Sequence, residues 1–191
     1  MSKNRLEAFS DGVLAIIITI MVLELKAPHG TDWASVKPLM PVLLSYVMSF
    51  LFVSVYWGNH HHLLHLVKQF SSGIMLANLN LLFWLSLVPF ATSWMGENSF
   101  ASLSVAVYAV LLNICGISYT ILQKSVAACH NDNQQIKLLL KRQTTKGLIS
   151  VVLYTLAIPL AYFNAYISVS IFFIVSVMWL IPDKRIEKML E

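Results

Sequence analysis

The sequence predicts an all-α membrane protein that crosses the bilayer six times and forms one domain, residues 1–191. Hydrophobic residues make up 58% of the 191 residues and charged residues only 12%, whereas about 25% of a soluble domain is charged. The apolar residues form long runs without any charge, and most lysines and arginines lie between these runs. Such a chain cannot cover a water-facing surface, and we expect it in a lipid bilayer.

The spans follow one another along the chain. A helix rises about 1.5 Å per residue, so about 20 residues cross the hydrocarbon core. The first predicted span is the short run 13–23, to which Phe9 and Leu25 add length. Four longer charge-free stretches follow, at residues 38–67, 73–96, 98–123 and 147–182.

The last stretch is too long for one span. Its 36 residues would reach roughly 54 Å as a single helix. Pro159 and Asn164 lie near its middle, so we predict a helical hairpin that turns at residues 162–164.

The first run also has the length of a signal-peptide core. Asp11 interrupts its start, however, and no clear cleavage site of small residues follows. We therefore interpret it as a membrane span.

Lysine and arginine predict the orientation. With six spans, one side holds both termini, the loop around Lys68 and the loop 124–146, and it carries 11 of the 13 Lys and Arg residues, leaving Lys26 and Lys37 opposite. Basic loops stay in the cytoplasm, so we expect a cell-membrane protein with both termini cytoplasmic. The basic residues are spread over loops, which argues against a nucleic-acid partner. The two cysteines form no disulfide framework and no C-x-x-C pair.

Polar residues mark the cytoplasmic end of the first helix. Arg5, Ser10 and Asp11 lie close together there, and an ionisable residue at a bilayer edge is costly unless it is paired or wet. Arg5 and Asp11 are six residues apart, so they are not neighbours on one helix face, and partners on other helices are favoured. A simple interfacial anchor remains the alternative.

The same helix carries a regular apolar stripe. Its members are spaced 4, 3, 4, 3 and 4 residues apart: Phe9, Val13, Ile16, Ile20, Leu23 and Ala27. This heptad spacing suits packing against copies of the same helix, although a wholly apolar helix can show it by chance. Thr19 is the only hydroxyl between Asp11 and the outer end.

These residues form a recognisable motif. Arg5 followed by Phe9, Ser10, Asp11 and Gly12, and then by an apolar run that holds Thr19, resembles the signature of the transmembrane protein 175 family. These are the endolysosomal potassium channels of animals and their shorter prokaryotic homologues. The six spans and the histidine-rich end of the second span resemble the family as well. The resemblance implies a weakly selective potassium channel that passes K⁺ and Rb⁺ better than Na⁺, without enzymatic activity or a cofactor.

The resemblance also implies an assembly. Animal members carry two six-span repeats and dimerise, so a chain with one repeat would form a homotetramer with its first helix lining a central pore. Apolar side chains of that helix form the constriction, at Ile16, Ile20 and Leu23 in this sequence. Thr19 falls where the animal channels have a threonine tied to selectivity. The T-V-G-Y-G filter of ordinary potassium channels is absent here, as it is in the family.

Four of the six histidines cluster at residues 60–65. His61 and His65 have the i, i+4 spacing of a transition-metal pair, but no carboxylate or cysteine lies nearby in sequence, so we assign no metal site. The resemblance implies that one histidine here contacts the polar group of the first helix. We expect a structural network of Arg5, Ser10 and Asp11 with His61 and Asn80.

Two other functions remain open. A membrane redox or metal-binding protein could use the histidines at residues 60–65, but it needs ligands on facing helices, and an absorbance spectrum would reveal it. A secondary transporter needs charges deep in the membrane and broken helices. The apolar runs hold no charge, which favours a passive pore.

Overall fold

The computed structural model describes residues 3–67, 71–129 and 134–180, with side chains from residue 143 onward in the last range. These ranges form eight α-helices and one 3-10 helix: α1 (Lys3–Leu23), α2 (Trp33–Val36), the 3-10 helix (Lys37–Leu39), α3 (Met40–His65), α4 (Ser72–Leu85), α5 (Val88–Glu97), α6 (Ser102–Ala128), α7 (Gln134–Phe163) and α8 (Ala165–Leu180). The predicted basic loop around Lys68 and the basic residues after position 180 lie outside the described residues.

Five helical segments in the described ranges are long and apolar enough to cross a membrane. They are Lys3–Leu23, Trp33–His65, Ser72–Glu97, Ser102–Ala128 and Gln143–Phe163. α8 is equally apolar but has 16 residues, which gives about 24 Å of helix. The predicted all-helical membrane fold with six apolar helical segments is confirmed.

α7 and α8 form the predicted helical hairpin. α7 ends at Phe163 and α8 begins at Ala165. The side chain of Asn164 accepts a hydrogen bond from the backbone N–H of Tyr166 at 3.0 Å, and the Ser168 hydroxyl donates to the carbonyl oxygen of Ala157 at 2.7 Å. Pro159 remains inside α7, so the turn depends on Asn164 and not on the proline.

The third apolar run is broken, although the sequence suggested one continuous span at residues 73–96. α4 ends at Leu85 and α5 begins at Val88. Pro89 has no N–H for the carbonyl of Leu85, and its ring crowds the preceding turn. The chain therefore restarts with proline in the first turn of α5, the position where a missing N–H costs least.

α6 is the central helix of the chain. It packs against α3, α4, α5, α7 and α8, and its Tyr108 hydroxyl lies 2.8 Å from the Ser49 hydroxyl of α3. α1 packs against α3, α4 and α5. It therefore lies at the edge of the subunit, with one face against the bundle and one face open.

Gly96 allows α3 and α5 to approach closely. A Cβ at this position would lie 2.8 Å from the Cα of Val42, a backbone atom, and would also clash with the Ser45 hydroxyl. We predict that Gly96→Ala lowers the free energy of unfolding by about 1–3 kcal/mol, because the two helices must separate. Thermal unfolding of the detergent-solubilised protein measures this loss.

Gly58→Ala is the matched control. A Cβ at Gly58 meets nothing within 4 Å, and alanine in a helix is more stable than glycine by up to about 1 kcal/mol. Equal stability of the two variants would contradict the close approach at Gly96.

Candidate functional site

One face of α1 is buried against the bundle. Its residues recur every three or four positions: Leu6, Ser10, Leu14, Ile17 and Met21. This spacing keeps them on one side of a helix that turns 3.6 residues per turn. The buried face therefore determines which residues α1 presents on its other side.

The opposite face holds all four residues predicted to line a pore. Ile16 is 57% exposed, Ile20 42% and Leu23 79%, and Thr19 is exposed as well. The Thr19 hydroxyl donates to the carbonyl oxygen of Ile16 at 2.9 Å, so the donor is satisfied within the helix while the oxygen remains free to accept. The structure thus brings the predicted constriction residues together on one open face.

This open face is less suited to lipid than an ordinary span surface. It also carries Arg5, which is exposed, and Gly12, where a Cβ would meet nothing within 4 Å. A charged residue facing hydrocarbon is costly, whereas small residues let helices approach each other closely. The combination of Arg5, Gly12 and Thr19 favours contact with protein and water.

A buried chain of hydrogen bonds attaches the inner half of α1 to the bundle. The Asn78 side-chain amide of α4 donates to the Ser10 hydroxyl at 2.9 Å, and Ser10 donates to the carbonyl oxygen of Leu6 at 2.8 Å. The Nε2 atom of His60 in α3 lies 2.6 Å from the Asn78 amide oxygen. An amide oxygen only accepts, so the imidazole donates. Ser10, His60 and Asn78 are all buried.

The two partners predicted for this network lie elsewhere. The ring of His61 is exposed and lies near the rings of Trp57 and His65, with centroid distances of 6.4 and 6.0 Å. Asn80 donates to the Ser118 hydroxyl of α6 at 2.9 Å. Each helix position turns by about 100°. His61 is one position from His60 and Asn80 is two positions from Asn78, so both side chains point to surfaces other than those of His60 and Asn78. His60 and Asn78 occupy the positions expected of His61 and Asn80.

Asp11 and Arg5 are also separate from the Ser10 chain. The Asp11 carboxylate accepts a hydrogen bond from the Trp57 indole at 3.0 Å, which joins α1 to α3 near the open side. Arg5 makes no hydrogen bond or ion pair with any described residue. The structure thus places the Arg5, Ser10 and Asp11 side chains on three different sides of the helix.

The histidines form no metal centre with other described residues. Within those residues, no group of three or more His, Cys, Asp or Glu side chains is placed to hold a metal ion. Among the described residues, His60 donates one hydrogen bond, to the amide oxygen of Asn78. This hydrogen bond is structural.

A second attachment holds the outer half of α1, and the sequence did not predict it. The Thr92 hydroxyl of α5 lies 4.0 Å from the Met21 sulfur and 2.7 Å from the Ser49 hydroxyl. The adjacent Ser93 donates to the Glu24 carboxylate at 3.3 Å. Two adjacent hydroxyls, three and four residues after the proline of an apolar run, were the signal that could have identified this contact.

Three comparisons place these features among known proteins. A family model described as "Endosomal/lysosomal potassium channel TMEM175" matches residues 5–89, the segment that contains most of α1 as well as Ser10, His60 and Asn78. A potassium channel of Chryseobacterium is 50% identical over 191 residues, which is 100% of this chain and 99% of that protein. The endosomal/lysosomal proton channel TMEM175 of Rattus norvegicus is 32% identical over 99 residues, 49% of this chain and 20% of the rat protein.

A solved structure has the same fold. The crystal structure of a lysosomal potassium-selective channel TMEM175 homolog from Chamaesiphon minutus is similar with a TM-score of 0.79 and 29% identity. The similarity covers 93% of this chain and 96% of that chain.

The Asn78 amide should be the critical member of the buried chain. We predict that Asn78→Ala lowers the free energy of unfolding by about 1–3 kcal/mol, because it leaves Ser10 and His60 without their shared buried partner. Asn80→Ala removes an exposed amide and should cost less. Thermal unfolding of both variants in detergent tests the ranking, and a larger loss for Asn80→Ala would refute it.

Proposed function

Because the chain belongs to the TMEM175 family of potassium channels, we propose that it conducts K⁺ passively through a pore lined by α1 of four copies. The narrowest part of this pore is an apolar neck formed by Ile16, Ile20 and Leu23. The observation that carries the proposal is the open face of α1, which presents these three residues together with Thr19.

The assembly follows from this face. A lone subunit exposes large apolar side chains beside Arg5, Gly12 and Thr19, and neighbouring copies of α1 would cover this mixed surface. Closed rings are the common form of such assemblies. In a homotetramer, four copies of α1 surround one axis. Native mass spectrometry in mild detergent measures the number of copies directly.

The neck is short and dry. Three rings from residues 16 to 23 span about 10 Å, since seven steps of 1.5 Å cover that distance. Apolar rings control permeation through their width and their wetting. An ion in this neck meets no ladder of carbonyl oxygens, so selectivity rests on the cost of removing water. K⁺ sheds water more easily than Na⁺, which gives a modest preference for K⁺.

The buried hydrogen bonds then have a mechanical role. Ser10, Asn78 and His60 hold α1 at one depth and rotation, while Asp11 and Trp57 join the same turn to α3. A rotation of α1 by one residue would replace Ile16 with Ile17 at the pore axis. The polar cluster therefore keeps the neck residues in register and does not itself bind the permeating ion.

We also propose a location and an orientation for the chain. Residues 1–191 form one channel domain in the cell membrane, in contact with lipid, with both termini in the cytoplasm. The distribution of 11 basic residues on one side and two on the other supports this orientation.

We predict passive flux of K⁺ into liposomes that contain the purified protein, with Rb⁺ close behind and Na⁺ slower. The physical reason is the lower cost of dehydrating the larger ions at an apolar neck. Fluorescent flux assays with each cation outside the vesicles measure the order. Parallel assays with a pH-sensitive dye report proton flux, because animal relatives are named proton channels. Flux that requires a Na⁺ or proton gradient would instead indicate a transporter.

The neck itself can be tested by a polar substitution. We predict that Ile16→Asn increases K⁺ flux and reduces the preference for K⁺ over Na⁺, because four amides would keep water in the neck. Ile174→Asn in α8 is the matched control, since Ile174 is 60% exposed and Ile16 57%. It adds the same group to an open helix face and should leave the preference unchanged.

Two outcomes would contradict the neck assignment. One is an intact assembly of Ile16→Asn with unchanged flux and unchanged preference. The other is a misfolded Ile16→Asn protein, which would indicate that Ile16 packs against neighbouring helices and does not face the pore.

A further inference from the structure

Glu24 is the first residue after α1, at the end opposite the histidines. It is exposed, and its carboxylate accepts a hydrogen bond from Ser93 at 3.3 Å. The preceding residue of α5, Thr92, contacts Met21 one turn earlier on α1. α5 thus holds this carboxylate beside the outer end of the helix, next to Leu23.

The nearest basic residue is directed to another partner. The Lys26 ammonium lies 3.9 Å from the Glu97 carboxylate at the end of α5. Both side chains are largely exposed, so the pair adds little to stability. The Glu97 carboxylate nevertheless balances the positive charge of Lys26. Of these three residues, Glu24 therefore supplies a negative charge near α1 that neither of the other two balances.

We propose that Glu24 controls cation entry by forming a ring of four carboxylates at this mouth of the pore. The inference rests on the proposed function, because only an assembly around α1 brings four copies of Glu24 together. The ring concentrates K⁺ in front of the apolar neck, which by itself offers an ion no favourable contact. Rings of acidic side chains and negatively charged clefts raise the local concentration of cations in this way.

The structure indicates that Glu24 acts through its field and not by direct coordination. Its carboxylate is bonded to Ser93 of α5, on the side of the helix that packs against the bundle, whereas Leu23 occupies the open face. A charge in this position influences ions within about 10 Å at 0.1 M salt and within about 3 Å at 1 M salt. The effect of Glu24 must therefore fade as salt increases.

The test is the unitary conductance of Glu24→Gln in planar bilayers at two KCl concentrations. Glutamine keeps an oxygen that can accept the Ser93 hydrogen bond, so the variant removes the charge and preserves the contact. We expect a conductance about two- to fivefold below that of the unmodified channel at about 0.1 M KCl, and near equality at about 1 M. Glu24→Asp keeps the charge, so its conductance at about 0.1 M KCl should exceed that of Glu24→Gln.

Ile16→Asn, recorded in the same bilayers, separates the possible failures. If it alters conduction while Glu24→Gln matches the unmodified channel at both salt concentrations, the carboxylate ring is wrong and the pore assignment stands. A deficit in Glu24→Gln that is equal at both concentrations would show a structural role and also overturn the ring. If neither variant changes conduction, the assignment of α1 to the pore fails together with the ring.

Discussion

The hydrogen bond between the Asn78 amide and the Ser10 hydroxyl, buried between α1 and α4, determines how α1 is turned. A buried amide that loses its partners is costly, and His60 occupies the other end of the same amide. Because Ser10 faces the bundle, the turn of about 100° per residue determines where the later side chains of α1 point. Ile16, Thr19 and Leu23 are then directed away from the bundle, toward the surface that neighbouring copies would cover in the proposed assembly.

The two ends of α1 are held by different kinds of contact. The inner end forms buried side-chain hydrogen bonds to α4 and, through Asn78, to α3. The outer end contacts the short helix α5 through Met21 and Glu24. The break at Pro89 places Thr92 and Ser93 in a separate half-helix, so the outer attachment depends on a segment that is not continuous with α4. The apolar neck that we propose lies between these two attachments and needs no ion-binding group of its own to be narrow.

The sequence was sufficient for the architecture because charge and length constrain a membrane chain strongly. The runs without Lys, Arg, Asp or Glu gave the spans, and Asn164 marked the hairpin turn. The break before Pro89 was missed, because hydropathy does not register a missing backbone donor. The apolar run of the first span was predicted at residues 13–23, whereas α1 begins at Lys3, because its first turns are polar and hydropathy does not count them as part of a span.

Part of the candidate site was also predictable from the sequence. The spacing of Ile16, Ile20 and Leu23 indicates one face of a helix, and the structure places them on one open face. The choice between His60 and His61, or between Asn78 and Asn80, depends on how α3 and α4 are rotated against α1. A single sequence does not contain that rotation, because both members of each pair are chemically identical and both lie in apolar helices.

Cysteine accessibility tests whether the open face of α1 lines the pore, as we propose. With the exposed Cys129 replaced by serine and the buried Cys115 retained, single cysteines are placed at positions 16, 20 and 23 and, for comparison, at 14, 17 and 21. A cationic thiol reagent is then applied during K⁺ flux. We expect modification to block flux at positions 16, 20 and 23 and to leave the buried set unaffected. Block at Leu14, Ile17 and Met21, or no block at either set, would contradict this proposal.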